Sequence, residues 1–183
     1  MVTEIKYRCA EVADIPLLAS HHRLMFEEMR AVEGDNGPKD SCCSGPDCFV
    51  SFPSLMESST PSPDFKQLEA VQRSKLEQQL IDGSCVAWIG ECQDEPIASG
   101  AVSIIKTVPV PEDLSFEVGF LHSVYTIKTM RGRGIASTIL DHLLDYCRTN
   151  GLKRVQLSAS EAGRAIYGNK GFRKMDEAMV VWL

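Results

Sequence analysis

The stretch from Val124 to Ala136 limits most strongly what this chain can fold into. It opens with Val124, Tyr125, Thr126 and Ile127, a β-branched and aromatic run that favours a strand. It then passes through the basic, glycine-bearing turn Arg131-Gly132-Arg133-Gly134 into Ile135, Ile139, Leu140, Leu143, Leu144 and Cys147, whose spacing is helical. Asn150-Gly151 supplies the stop. A strand, a glycine turn and a helix N-terminus together predict an anion site. The first turn of a helix carries N–H groups without intrahelical partners, and the helix dipole places roughly half a positive charge there. Gly132 and Gly134 lack a Cβ, so a phosphate can approach their backbone, and Arg131 and Arg133 add cationic donors.

An ordinary strand-to-helix turn would need these glycines only for its dihedral angles, so Gly-x-Gly alone does not decide between the two readings. Two commoner phosphate loops are excluded. No Gly-Lys-Ser/Thr follows, as a Walker loop requires, and no third glycine completes a dinucleotide fingerprint.

Arg131-Gly132-Arg133-Gly134-Ile135-Ala136 resembles the Arg/Gln-x-x-Gly-x-Gly/Ala signature of the GNAT acyltransferases, which cradle the pyrophosphate of coenzyme A. A second stretch, Leu157 to Phe172, resembles that family's strand, helix and Tyr-x-x-x-Gly-Phe ending, here Tyr167 to Phe172. Two signatures in the right order and separation are far more specific than either alone. The resemblance is strong from about Glu117 to Phe172 and only a pattern before that. It implies an α/β fold of the acyl-CoA N-acyltransferase kind, with a mixed, mostly antiparallel sheet flanked by helices. It further implies an N-acetyltransferase that moves the acetyl group of acetyl-CoA directly to a primary amine of a small molecule or protein.

A chain of 183 residues is long enough for one domain with a real core, here read as 1–183 with an irregular insertion at about 31–63. The net charge of −6 argues against a general nucleic-acid or anionic-membrane binder. No apolar run approaches the ~20 residues of a membrane span, and Met1 to Lys6 shows no signal-peptide pattern. Seven cysteines, an odd number scattered except for one cluster, fit free thiols in a reducing cytoplasm.

In chain order, Thr3 to Cys9 alternates as a strand, with Ile5, Tyr7 and Cys9 on one face. Asp14 then caps a helix with an apolar stripe from Ile15 to Met29; His22 falls on that stripe, and Glu27 and Glu28 fall on a solvated face, unless, as the resemblance also allows, this helix walls the acceptor site and one of them attracts an amine. Cys42, Cys43 and Cys48 sit in the irregular insertion without the further ligands of a four-coordinate zinc site, and no metal site is assigned. Asp64 caps a second helix with Leu68, Val71, Leu76 and Leu80 on its apolar side. Strands follow at 86–90 and 97–105 around a turn at Asp94-Glu95-Pro96, then at 116–126. After the central helix come a strand at 154–159, a short helix capped by Ser160, and a last strand at 179–182.

Acetyl transfer needs a neutral amine, a held thioester, a donor for the oxyanion and a proton for the leaving thiolate. The resemblance implies that Val124 and Thr126 bind the pantetheine arm and acetyl carbonyl through their backbone, where that family's strand splays from its neighbour. It assigns the pyrophosphate to Arg131, Gly132, Arg133, Gly134, Ile135, Ala136 and Ser137, and makes Tyr167 the acid for the thiolate. For the base, His122 lies two residues before Val124 and so on the same strand face. Glu117 is the other candidate, on the opposite face unless a bulge intervenes. The alternative reading is a non-catalytic acyl-CoA-binding sensor, with the cysteine loop as a redox or metal switch. No motif specifies the acceptor, and a homodimer is compatible with the sequence.

Overall fold

The computed structural model describes residues 4–35 and 64–175. Among these residues five strands, β1 (Ile5–Cys9), β2 (Cys85–Cys92), β3 (Glu95–Lys106), β4 (Glu117–Thr126) and β5 (Val155–Leu157), lie side by side in sequence order. The first four pair antiparallel, and β5 joins β4 in parallel. The helices are α1 (Ile15–Asp35), α2 (Phe65–Ile81), α3 (Ile135–Thr149) and α4 (Arg164–Asn169). This is the mixed, mostly antiparallel sheet with helices that the sequence predicts. The described residues fall into two compact units, 4–32 with 64–158, and 33–35 with 159–175. The sheet and α3 belong to the first, and α4 belongs to the second. Cys42, Cys43, Cys48 and the strand expected at 179–182 lie outside the described residues.

Each face of the sheet has its own core. On one face, Ile15 and Leu18 of α1 and Leu76 of α2 pack with Cys85, Ala87 and Ile89 of β2 and Ala101 of β3. On the other, α3 buries Ile135, Ile139, Leu140, Leu143, Leu144 and Cys147, the stripe predicted from their spacing. The contact with α3 is close at Gly100, where a Cβ would lie 2.8 Å from Ile139 Cγ2 and 3.2 Å from Leu143 Cδ1. A side chain at that position would have to displace the helix.

Several local expectations shift. Asp14 does not cap α1 in the simple way: it ends a 3-10 turn over Val12–Asp14, accepts from the Glu11 N–H and takes two hydrogen bonds from the Arg8 guanidinium. Asp64 does cap α2, accepting from the N–H groups of Lys66 and Gln67. Val71, however, is 62% exposed, because the buried line of α2 runs through Gln72 and Leu76. The β2–β3 turn is Gln93-Asp94, one residue earlier than expected. Both have positive φ, +54° and +62°, as a two-residue type I′ hairpin requires, and Pro96 falls inside β3. The strand expected over 154–159 is shorter, Val155–Leu157.

Candidate active site

The candidate site lies along the second half of β4. The pairs Ala101–His122 and Ser99–Tyr125 enclose one residue on β3, Gly100, but two on β4, Ser123 and Val124. This is a β-bulge, and Ser123 takes the unusual φ of +55° for a residue with a side chain. The bulge reverses the alternation. Before it, His122 faces the α1–α2 side, where its Nε2 lies 2.9 Å from Ser103 Oγ. After it, the Val124 side chain faces α3, its Cγ2 3.4 Å from the Cβ position of Gly100 beside Ile139 and Leu143. The expectation that His122 and Val124 share a face is therefore wrong, because sequence spacing cannot register an inserted bulge residue.

The bulge also marks where β4 loses its neighbour. Pairing with β5 covers only Gly119 to Leu121, so His122 to Thr126 have no strand on that side among the described residues. Ile127 N–H bonds to Ile97 on β3, and Tyr125 pairs with Ser99, so by alternation Val124 and Thr126 turn their backbone groups to the open side. Thr126 Oγ1 is buried without a hydrogen-bond partner among the described residues, an arrangement that native structures seldom leave unexplained.

The glycine turn follows directly. Gly132 and Gly134 have φ of +75° and +78°, and nothing lies within 4 Å of where their Cβ atoms would sit. Gly134 is the N-cap of α3 without any side-chain cap, and the first helical bond runs from Thr138 N–H to its carbonyl. The N–H groups of Ile135, Ala136 and Ser137 are thus left at the helix start for an outside acceptor. Arg133 is exposed beside them. Arg131 is placed differently from its expected role. Its Nε donates to the Thr126 carbonyl at 2.8 Å, its Nη2 pairs with Glu28 Oε2 at 2.7 Å, and its guanidinium lies 5.6 Å from the Tyr125 ring centre. Tyr125 Oη donates to the other Glu28 oxygen at 2.9 Å. Burial alone would raise the Glu28 carboxyl, but the bonds from Arg131 and Tyr125 outweigh it and hold it below its usual range. Glu28 is therefore not on a solvated face; it ties α1 to the turn.

Under the bulge, on the α1–α2 side, lies a polar network that the sequence reading missed. His21 Nδ1 meets Ser99 Oγ at 2.9 Å, and His22 Nδ1 meets Ser123 Oγ at 2.7 Å. Ser123 Oγ also lies 2.9 Å from His122 Nδ1, and Ser103 Oγ reaches Gln79 Oε1 at 3.3 Å. Burial pushes His21, His22 and His122 down to about 4, with Lys75 adding to the effect on His22 and His122. The signal was present in Ser99 and Ser103, two hydroxyls on one face of a buried strand, which must find partners.

Two candidates remain. The bulge does bring Glu117 onto the face of Val124, but Glu117 is exposed at the far end of β4, opposite Lys106. At roughly 3.3 Å per residue the length of the strand separates it from the glycine turn, so the structure does not bring the two together. Tyr167 belongs to the second unit. It is half-buried in α4, edge-on to Phe172 at 5.9 Å, and close enough to Gly163 that a Cβ there would lie 2.8 Å from the Tyr167 ring. Burial raises its phenol above the ordinary value. Among the described residues no group of histidines, cysteines and carboxylates could hold a metal ion, and no helix is long and apolar enough to cross a membrane.

Solved structures of the same fold are numerous. A predicted acetyltransferase from Clostridium acetobutylicum, crystallised with acetyl-CoA, is 23% identical with a TM-score of 0.71 over 97% of this chain and 96% of its own. A GCN5-related N-acetyltransferase from Ralstonia eutropha JMP134 is 21% identical with a TM-score of 0.73, over 98% and 99%. Glucosamine-6-phosphate N-acetyltransferase from Arabidopsis thaliana is 18% identical with a TM-score of 0.56, over 98% of each chain. No curated protein matches the sequence significantly. The acetyltransferase (GNAT) family profile matches residues 52–172, more than half of the chain and including the bulge, the glycine turn and Tyr167. The chain belongs to the GNAT family of acetyltransferases.

Proposed function

We propose that this protein is an acetyl-CoA-dependent N-acetyltransferase whose acceptor is a primary amine of a small molecule or protein. The observation that carries the reading is the juxtaposition of an open strand edge and an uncapped glycine turn at the end of β4. Coenzyme A asks for both, an extended arm that hydrogen-bonds to backbone and a pyrophosphate that needs N–H donors. The open edge at Val124 and Thr126, the unpartnered Thr126 Oγ1, and the space over Gly132 and Gly134 fit that molecule. The Clostridium acetobutylicum structure, with acetyl-CoA, supports the choice of donor.

When bound, acetyl-CoA supplies a thioester acetyl group for attack by nitrogen. The chain's own residues then divide the work. Gly132, Gly134 and the N–H groups of Ile135, Ala136 and Ser137, helped by Arg133, take the pyrophosphate. Arg131 acts through Glu28 and the Thr126 carbonyl to hold the turn in shape. A backbone N–H on the open edge would be the donor for the acetyl oxygen, stabilising negative charge there. Tyr167 would be the proton donor to the leaving sulfur, a role that rests on its place in the Tyr-x-x-x-Gly-Phe motif. His122, with both ring nitrogens bonded to serine hydroxyls, acts only through those hydroxyls. We place the protein, as a single acetyltransferase domain, in a reducing cytoplasm, in keeping with its described cysteines being free thiols. Incubation with acetyl-CoA and a panel of primary amines, read by mass spectrometry, tests the reading. Acetylated amine is the expected product, and tight acetyl-CoA binding without any transfer would favour an acyl-CoA sensor instead.

A further inference from the structure

The hydrogen bonds under the bulge have a direction. Ser103 Oγ donates to Gln79 Oε1. With its single proton on Gln79, Ser103 Oγ is an acceptor 2.9 Å from His122 Nε2, an arrangement that calls for the Nε2–H tautomer of neutral His122. His122 Nδ1 is then a bare acceptor, and the Ser123 hydroxyl donates to it at 2.9 Å. Ser123 Oγ accepts in turn from His22 Nδ1 at 2.7 Å. That leaves a lone pair on His22 Nε2, which has no partner among the described residues. Ser123, the middle link of this chain, is the bulge residue directly before Val124 and lies on the open stretch of β4, and the chain's free nitrogen is on α1 beside it.

We propose that His22, Ser123 and His122 form a directional proton-accepting chain for acetyl transfer, entered at Nε2 of His22. The inference rests on the acetyltransferase reading of the same site. As the acceptor nitrogen bonds to the acetyl carbon and the carbon–sulfur bond breaks, the nitrogen turns positive and gives one proton to His22 Nε2. The Nδ1 proton of His22 passes to Ser123 Oγ while the Ser123 hydroxyl proton passes to His122 Nδ1. His22 and Ser123 finish neutral, and His122 finishes as an imidazolium with its two N–H groups on the oxygens of Ser123 and Ser103. The reverse shift returns the proton through His22 to solvent, and the leaving sulfur takes its proton from a separate donor. His22 is the catalytic residue of the chain, and Ser123 and His122 act through it.

The charges that reach these rings are Lys75 on α2 and the rings themselves, and with burial they keep both rings neutral, so the chain is empty near neutral pH. A neutral imidazole does not deprotonate an alkylammonium of pKa about 10.4, so its proton transfer belongs to the transition state, where bonding to the carbonyl carbon makes the nitrogen's proton more acidic. The chain therefore favours acceptors that are substantially neutral on arrival, such as an α-amino group of pKa about 8, over a lysine side chain.

Nitrogen NMR of the histidine rings in the free protein near neutral pH tests the direction without any substrate. The expected pattern is an Nδ1–H tautomer at His22 and an Nε2–H tautomer at His122; an Nε2–H tautomer at His22 overturns the chain. Two variants test its use. His22→Asn keeps an amide N–H for Ser123 but lacks the outer nitrogen. Ser123→Gly suits the left-handed backbone and lacks the hydroxyl. Each should keep acetyl-CoA affinity by calorimetry while kcat/KM with a weakly basic amine falls about 10²-fold. The loss in His22→Asn should shrink as pH rises and solution bases take over. Unchanged kcat/KM and pH profile in His22→Asn overturn the proposal while leaving the acetyltransferase reading intact. Failure of the wild-type protein to bind acetyl-CoA removes that reading and the chain's role with it, whatever the tautomers.

Discussion

Arg131 Nη2 and Glu28 Oε2 lie 2.7 Å apart, so the residue read from sequence as a pyrophosphate donor is held by the first helix. The same guanidinium bonds the Thr126 carbonyl, and the same carboxylate accepts from Tyr125 Oη. Strand, turn and helix are thereby joined at one point beside the proposed cofactor edge.

Truncating Glu28 to Ala should show this. The Tyr125 hydroxyl loses its acceptor, and Arg131 keeps only the carbonyl. Arg131 is about half exposed, so screening limits the loss to about 1–2 kcal/mol, read as a lower urea midpoint with unchanged slope. Acetyl-CoA affinity should fall as well, because the turn loses its brace. Unchanged midpoint and affinity would reduce the pair to a surface contact.

Gly134→Val is expected to weaken acetyl-CoA binding at least about tenfold in a folded protein. A β-branched residue at φ +78° is strained by about 1–2 kcal/mol, and its side chain fills the space that the phosphate would use. Wild-type affinity in the variant would remove the glycine turn from the binding site.

Stability should fall on acidification well above the carboxylate range. His21, His22 and His122 titrate near 4 when folded and near 6.5 when unfolded. Between these values the unfolded chain binds more protons, so stability rises with pH across that window and is lost as pH drops through it. His21, only 4% exposed, accounts for a loss on the order of 3 kcal/mol at about 1.4 kcal/mol per pKa unit. Urea midpoints at neutral pH and near pH 5 check this, and equal midpoints would mean that the rings titrate as in open solution.

Tyr167→Phe should keep acetyl-CoA affinity while kcat falls roughly 10²-fold, the scale of losing a general acid. The ring still packs edge-on against Phe172, so the fold of its unit is preserved. Full turnover in this variant would make Tyr167 a packing residue.

What could be read in advance follows from how each feature is encoded. The α3 stripe and the glycine turn are local patterns, and each appears where its spacing predicts. The Ser123 bulge is not local. It arises because β4 carries one residue more than β3 between two fixed pairs, and nothing in Leu121 to Tyr125 announces it. With the bulge hidden, the face of His122 was misjudged, and the partnership of His22 with Ser123, 101 residues apart, could not be seen. Glu28 was hidden for a similar reason, since its partners Tyr125 and Arg131 are close only after α1 packs on the sheet.

The most direct test of the account is calorimetric titration of the folded protein with acetyl-CoA, with ATP and NAD as controls. The account predicts micromolar-range binding of acetyl-CoA, about −8 kcal/mol, and none of that strength for the controls. Absence of acetyl-CoA binding, or equal binding of ATP, would contradict the assignment of the open edge and glycine turn to coenzyme A.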